Sequence, residues 1–114
     1  MYDIISYYGL MSSSRSSDKR MGINEATKVA REMLNKDSSC LIFSDHCITR
    51  MKERGMNQRD VINVLLGGKC NAIEVHPKSG LNVYRFETPS YRVECNIFKY
   101  ENIVAITAIR KTRF

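Results

Sequence analysis

The spacing of apolar residues changes once along this chain, at the pair Gly67-Gly68. Before this pair, apolar side chains recur every three or four residues, which indicates amphipathic helices. After it, apolar and polar side chains alternate, which indicates strands with one buried face. The two patterns occupy separate halves of the chain. The sequence therefore predicts an α+β fold in which N-terminal helices pack on a four-stranded, mainly antiparallel sheet.

Local signals divide the first half of the chain into three helices. A side chain that can cap a helix N-terminus precedes or begins each one, and these are Asn24, Ser44 and Asn57. Gly55 ends the second helix, and the glycine pair ends the third. Between the first two helices, the segment CLIF is either a very short strand or an extended connection.

The second half contains four predicted strands joined by short turns, KCNAIEV, LNVYRFE, YRVECNIF and IVAITAI. The third strand alternates most clearly, with Tyr91 and Val93 on its apolar face and Arg92 and Glu94 on its polar face. The fourth is apolar on both faces, which suits a central strand. The turn after the first strand contains His76, which is predicted to be a solvated turn residue.

Residues 1–22 differ in composition from the rest of the chain. The apolar and aromatic segment MYDIISYYGLM predicts an added edge strand or a partner-binding arm. The serine-rich, basic stretch that follows it predicts a flexible linker. Residues 23–114 then form a single domain, because 114 residues are enough for one compact domain and too few for two.

The net charge favours a polyanionic partner. Lysine and arginine number 18 against 12 acidic residues, which gives a net charge of +6. Each basic side chain can neutralise a phosphate and release a counterion. The alternative is a basic protein whose charge only keeps it dispersed. No run approaches the ~18 apolar residues of a membrane span, and no signal-peptide pattern opens the chain, so we expect a cytoplasmic location and no membrane partner.

The four cysteines do not form a metal-binding pattern. No C-x-x-C pair is present, so we expect no structural zinc site. Cys40, Cys47 and Cys95 lie within apolar patterns and are predicted to pack as small hydrophobic residues, in keeping with a reducing compartment.

Three side chains that suit phosphate chemistry form one column on the second helix. His46, Arg50 and Arg54 are four residues apart and therefore share a face. Histidine can accept or donate a proton near neutral pH. The guanidinium group of one arginine can bind two phosphate oxygens at once. Ile48 and Met51 are predicted as the buried side of this helix. The alternative is a capping or strand-bonded histidine beside arginines held in salt bridges.

The segment that carries this column resembles a family signature. FSDHCITRMKERGM, followed by a helix ending in G-G and a four-strand meander, resembles small bacterial toxin-like proteins with the pattern H-A-x-x-R-M-x-E-R-G-I. These look like distant relatives of the RelE/ParE-like and MqsR-like toxins. The resemblance covers residues 43 to about 111. Cys47 replaces the usual alanine, and the matching positions are His46, Arg50, Met51, Glu53, Arg54 and Gly55.

The resemblance implies a toxin of a toxin-antitoxin pair that acts as a metal-independent endoribonuclease on mRNA. Such a reaction needs a base for the 2′-hydroxyl, positive groups around the phosphorus, and an acid for the leaving oxygen. No cofactor or metal is expected. RNA, the ribosome and a cognate antitoxin are the implied partners, and a homo-oligomer is left open. A non-catalytic RNA- or protein-binding module of the same fold, and a toxin with a non-RNA target, also stay open.

The resemblance also directs attention to basic groups and a tyrosine on the exposed sheet face and near the C-terminus. With the column included, the catalytic candidates are His46, Arg50, Arg54, Arg85 and Arg92. The RNA-binding candidates are Lys52, Tyr91, Arg110, Lys111 and Arg113. The alternatives are Arg92 paired with Glu87 or Glu94, Tyr91 in the core, and a solvated basic tail.

Overall fold

A computed structural model describes residues 19–111, so residues 1–18 and 112–114, including most of the predicted arm and linker, lie outside the described part. The predicted α+β class is confirmed. The helices are α1 (Ile23–Lys36), α2 (Asp45–Glu53) and α3 (Gln58–Gly67). The strands are β1 (Leu41–Phe43), β2 (Lys69–Val75), β3 (Asn82–Glu87), β4 (Tyr91–Phe98) and β5 (Asn102–Arg110).

The sheet has five strands in the order β1-β5-β4-β3-β2, one more than predicted. Strands β2 to β5 form the predicted antiparallel meander. The additional strand is β1, from the segment CLIF, which pairs parallel to β5 with Leu41 opposite Ile103 and Phe43 opposite Ala105. Three residues are too few to show an alternating pattern, so the sequence alone could not identify this strand. It forms by pairing with a strand about sixty residues later in the chain.

Side-chain capping fixes the starts of α2 and α3 as predicted. The Ser44 hydroxyl accepts a hydrogen bond from the Cys47 N–H at 3.1 Å. Asn57 and Asp60 form a reciprocal capping box at the start of α3. The prediction for α1 was wrong in its first residue, because Gly22 is the N-cap and no side chain caps this helix.

One face of the sheet, which we call the helical face, packs against all three helices. Its buried side chains include Tyr84, Phe86 and Val93. Helix α2 contributes Cys47 and Met51 to this core, whereas Ile48, predicted to be buried, is 39% exposed. Helical spacing allows either Cys47 or Ile48 to face the sheet together with Met51. In the structure it is Cys47 that faces the sheet.

The opposite face of the sheet, which we call the second face, has an apolar end and a charged end. The apolar end is built by Leu81, Phe98, Val104 and Ile106. The charged end carries the ion pairs of β3 and β4, including those of Arg85.

Candidate functional site

Helix α2 lies beside the part of β5 that β1 leaves unpaired. Strand β1 pairs with β5 only as far as Ala105. Beyond that point, the Ser44 hydroxyl donates to the Ile106 carbonyl at 3.1 Å, and Arg54 Nη1 donates to the Ala108 carbonyl at 2.6 Å. Side chains from both ends of α2 therefore satisfy backbone acceptors of a strand edge that would otherwise be open to another chain.

The predicted column on α2 is present, and its members influence one another. Burial lowers the pKa of His46 from the ordinary value of 6.5, and the positive charges of Arg50 and Arg54 lower it further. A lowered pKa favours the neutral imidazole at pH 7, which is the form that can accept a proton. The electrostatic effect of both arginines on the ring agrees with the shared face that the spacing predicted.

Arg50 is held by a weak partner. Its Nη1 lies 2.9 Å from Glu53 Oε1, and the two side chains are 40% and 54% exposed. Exposed pairs of this kind contribute roughly 0–1 kcal/mol. Because so little stability would be lost, the guanidinium of Arg50 can exchange Glu53 for a phosphate oxygen.

A fourth basic side chain joins the column from β5. Arg110 Nη1 donates to the Arg54 carbonyl at 3.4 Å. A β-bulge between Cys95 and Glu94 places one extra β5 residue, Ile106, in the strand. This shift turns the side chains of Ala108 and Arg110 toward the helical face.

We call His46, Arg50, Arg54 and Arg110 the edge site. It combines an imidazole of lowered pKa, in the first turn of α2, with three guanidinium groups, of which those of Arg54 and Arg110 lie where the C-terminal end of α2 meets β5. Tyr91 pairs with Arg110 across β4 and β5 and is partly buried against the core. A pair opposed in this way lies close enough for the tyrosine to flank the site.

The structure places Arg85 and Arg92, the other two catalytic candidates, on the second face and not at the edge site. Arg85 Nε lies 3.6 Å from a Glu94 carboxylate oxygen. Arg92 Nε donates to Glu87 Oε2 at 2.9 Å. The column on α2 and the strand face that carries Arg92 therefore lie on opposite sides of the sheet. The bulge gives the edge site Arg110 instead.

Glu87 is the centre of a separate polar cluster. Hydrogen bonds from Asn71 and Arg92, with a further contribution from Lys111, lower its pKa to about 2. Lys111 Nζ lies 3.2 Å from the carboxylate and also donates to the Thr88 carbonyl at 2.8 Å. Arg92 and Lys111 thus stabilise the turn between β3 and β4.

Replacing Glu87 with glutamine is expected to lower the free energy of unfolding by about 1–2 kcal/mol at pH 7, since charged hydrogen bonds on a 19% exposed carboxylate are lost. Folding lowers the pKa of Glu87, so this stabilisation is present above about pH 4.5 and is lost as the pH falls toward about 2. Urea denaturation at pH 7 and pH 3 measures the difference. An equal effect at both pH values would contradict it.

The remaining candidates lie apart from the edge site or outside the described residues. Lys52 is exposed on α2, outside the His46 column. Arg113 lies outside the described residues. His76 Nδ1 accepts hydrogen bonds from the N–H groups of Lys78 and Ser79 at 3.2 and 3.1 Å, so it holds the turn between β2 and β3.

The cysteines do not extend the site. All four are free thiols, and burial raises the pKa of Cys47 to about 12, which keeps it protonated and unreactive. Within residues 19–111, no three His, Cys, Asp or Glu side chains lie together as metal ligands would. None of the helices in this described part has the length and apolar character to cross a membrane.

Comparison with known families finds one match, and the matched segment contains the edge site. A family model described as a domain of unknown function, DUF4258, matches residues 43–114. The matched segment begins in β1 and contains every member of the edge site, whereas α1 precedes it. Comparison with curated proteins and with solved structures finds no match.

Proposed function

The chain belongs to the DUF4258 family, and we propose that it is the toxin of a toxin-antitoxin pair that cleaves mRNA without a metal. The observation that supports this most is the edge site, a histidine of lowered pKa that shares a helix face with Arg50 and Arg54, with Arg110 at the Arg54 end, on a chain of net charge +6. The signature in α2, with its resemblance to RelE/ParE-like and MqsR-like toxins, is the second support.

The chemistry needs no group beyond the RNA and the edge site. Neutral His46 accepts the proton of a 2′-hydroxyl, and the 2′-oxygen forms a bond to the adjacent phosphorus. The bond from phosphorus to the 5′-oxygen of the next nucleotide breaks, and the proton held by His46 is then available to that oxygen. The products are a 2′,3′-cyclic phosphate and a 5′-hydroxyl.

The arginines divide between binding and positioning. Arg50 and Arg110 carry guanidinium groups that can contact the phosphate as negative charge develops on it. Arg54 uses one N–H on the Ala108 carbonyl, which keeps α2 against β5. We assign Arg54 to holding His46 at a fixed distance from Arg110, with its positive charge as a secondary contribution.

Expression in bacterial cells tests the proposal. Wild-type protein is expected to arrest growth and shorten transcript lifetimes, and the His46→Ala/Arg50→Ala pair is expected to do neither. The Lys28→Ala variant removes one positive charge from an exposed position of α1 and is expected to remain toxic. Normal growth with intact transcripts under wild-type expression would contradict the proposal.

The second candidate function is an RNA-binding module without catalysis. It is favoured by the net charge of +6, because phosphate binding by basic side chains needs no catalytic group. Under this alternative the protein retains RNA on a filter in a salt-dependent manner, while no new RNA ends form. Cleavage by the wild type that is lost in the His46→Ala variant would exclude it.

A further inference from the structure

The polar column of the edge site follows α2 from its first turn to its C-cap. His46, Arg50 and Arg54 are four residues apart, and a helix rises by about 1.5 Å per residue, so each step covers about 6 Å. Both arginines lower the pKa of His46 through their positive charge, as expected for side chains that share one face. The column therefore separates a proton acceptor at one end of α2 from a cation at the other end by about 12 Å.

Arg110 adds a second cation at the C-terminal end of the column. Its Nη1 donates to the Arg54 carbonyl at 3.4 Å, and a Cβ atom built on Gly55 would lie 3.4 Å from the same nitrogen. These contacts place the guanidinium group over the end of α2, and Arg110 is exposed there. Since Arg54 uses its Nη1 on the Ala108 carbonyl, Arg110 is the better placed of the two arginines to bind an anion.

The length of one step along the column suits an RNA backbone. A step of about 6 Å is close to the distance between successive phosphorus atoms of an extended strand. Proteins that bind single strands commonly follow the backbone with a row of basic groups. A strand that runs along α2 therefore meets a new side chain of the column at each nucleotide.

We infer that the edge site binds an extended single strand of RNA whose 5′ side lies at His46 and whose 3′ side lies at Arg110. The inference rests on the proposed function, which puts the 2′-hydroxyl at His46 and the reacting phosphate at Arg50. The reacting phosphate is on the 3′ side of the nucleotide that carries the 2′-hydroxyl, so the direction of the strand follows. In this alignment, the phosphate contact of Arg110 falls on the first phosphate downstream of the reacting one.

The same alignment requires an unpaired strand at the cleavage site. Attack by the 2′-oxygen needs this atom, the phosphorus and the leaving 5′-oxygen to lie nearly in a line, and continuous base pairing holds them away from it. A single strand can rotate about its backbone bonds to reach this geometry. The substrate class is therefore single-stranded RNA that continues beyond the cleaved bond for at least one nucleotide and the phosphate after it.

Replacement of single phosphates tests the alignment without altering the protein. The cleavage site is first mapped in a long RNA, and a short 2′-methoxy RNA of that sequence is made with one free 2′-hydroxyl at the cleaved position. A neutral methylphosphonate then replaces the first phosphate either downstream or upstream of the reacting one. The downstream replacement is expected to lower kcat/KM by about tenfold, because a charged hydrogen bond is lost, and the upstream one by less than about twofold.

Variants of Arg110 identify the side chain responsible. Arg110→Gln is expected to lower kcat/KM on the unmodified strand by about tenfold and to show no further loss with the downstream methylphosphonate. Arg110→Lys keeps the positive charge and is expected to recover part of the rate. Lys28→Gln, at an exposed position of α1, is expected to respond to both methylphosphonates as the wild type does.

The outcomes separate this inference from the proposed function. No cleavage of the long RNA by the wild type would contradict the proposed function and the strand direction with it. Cleavage that responds equally to the two replacements, or more strongly to the upstream one, would overturn the strand direction alone. A response of Arg110→Gln to the downstream replacement as large as that of the wild type would also overturn it.

Discussion

A Gly68→Ala variant is expected to lose about 3 kcal/mol of unfolding free energy, at the upper end of the usual cost of overpacking. A Cβ atom at this position would lie 2.6 Å from the carbonyl oxygen of Val64 and 2.6 Å from that of Glu87. Both atoms belong to the backbone, one in α3 and one in β3, so neither can move without shifting an element of the core. The glycine is required by this close approach of helix and strand.

The neighbouring glycine provides the matched control. Nothing lies within 4 Å of a Cβ atom built on Gly67, the last residue of α3. Gly67→Ala is expected to be neutral or to stabilise the protein by up to about 1 kcal/mol, because alanine favours the helix. Urea denaturation of both variants gives the two free energies. Equal values would contradict the packing of the end of α3 against β3.

A His46→Gln variant is expected to lower the rate of RNA cleavage by roughly 10²–10⁴-fold, the usual contribution of a general base. Glutamine keeps a polar side chain of similar length but cannot accept the 2′-hydroxyl proton. The arginines of the edge site remain, so RNA affinity should change little. Single-turnover cleavage of a labelled RNA, with filter binding in parallel, separates the two effects. Loss of binding with unchanged chemistry would remove His46 from the catalytic role.

The pH profile of the same reaction provides a second check on His46. Cleavage requires the neutral imidazole, so the acidic limb of the wild-type profile should fall below the ordinary pKa of 6.5. Arg50→Gln removes a positive charge that lowers the pKa of His46, and the limb should move to higher pH. Lys28→Gln, on α1, is expected to leave the limb in place.

Local sequence signals were sufficient for α2, which carries His46 and Arg50 of the edge site, and for α3. Ser44 and Asn57 cap α2 and α3 through their own side chains, and such capping depends on residues only three positions away. The alternation of β4 also gave the faces of Arg92 and Val93 correctly, because period-2 patterning is a property of the strand itself.

Features that depend on distant partners could not be predicted in this way. Strand β1 exists because the edge of β5 accepts it. The bulge at Ile106 reverses the faces of later β5 residues, and the apolar run IVAITAI contains no sign of it. Arg110 therefore lies at the edge site, although simple alternation counted from Ile103 would place its side chain on the second face. The sequence indicated Glu87 or Glu94 as the partner of Arg92, and only the folded structure shows that the partner is Glu87.

The most direct test of RNA cleavage by the edge site is the end chemistry of RNA incubated with purified protein. The incubation should contain a chelator, and mass spectrometry should identify the new ends. Wild-type protein is expected to generate 2′,3′-cyclic phosphate and 5′-hydroxyl ends, and His46→Gln is expected to generate almost none. Intact RNA with the wild type, or ends carrying a 5′-phosphate, would contradict the proposed reaction.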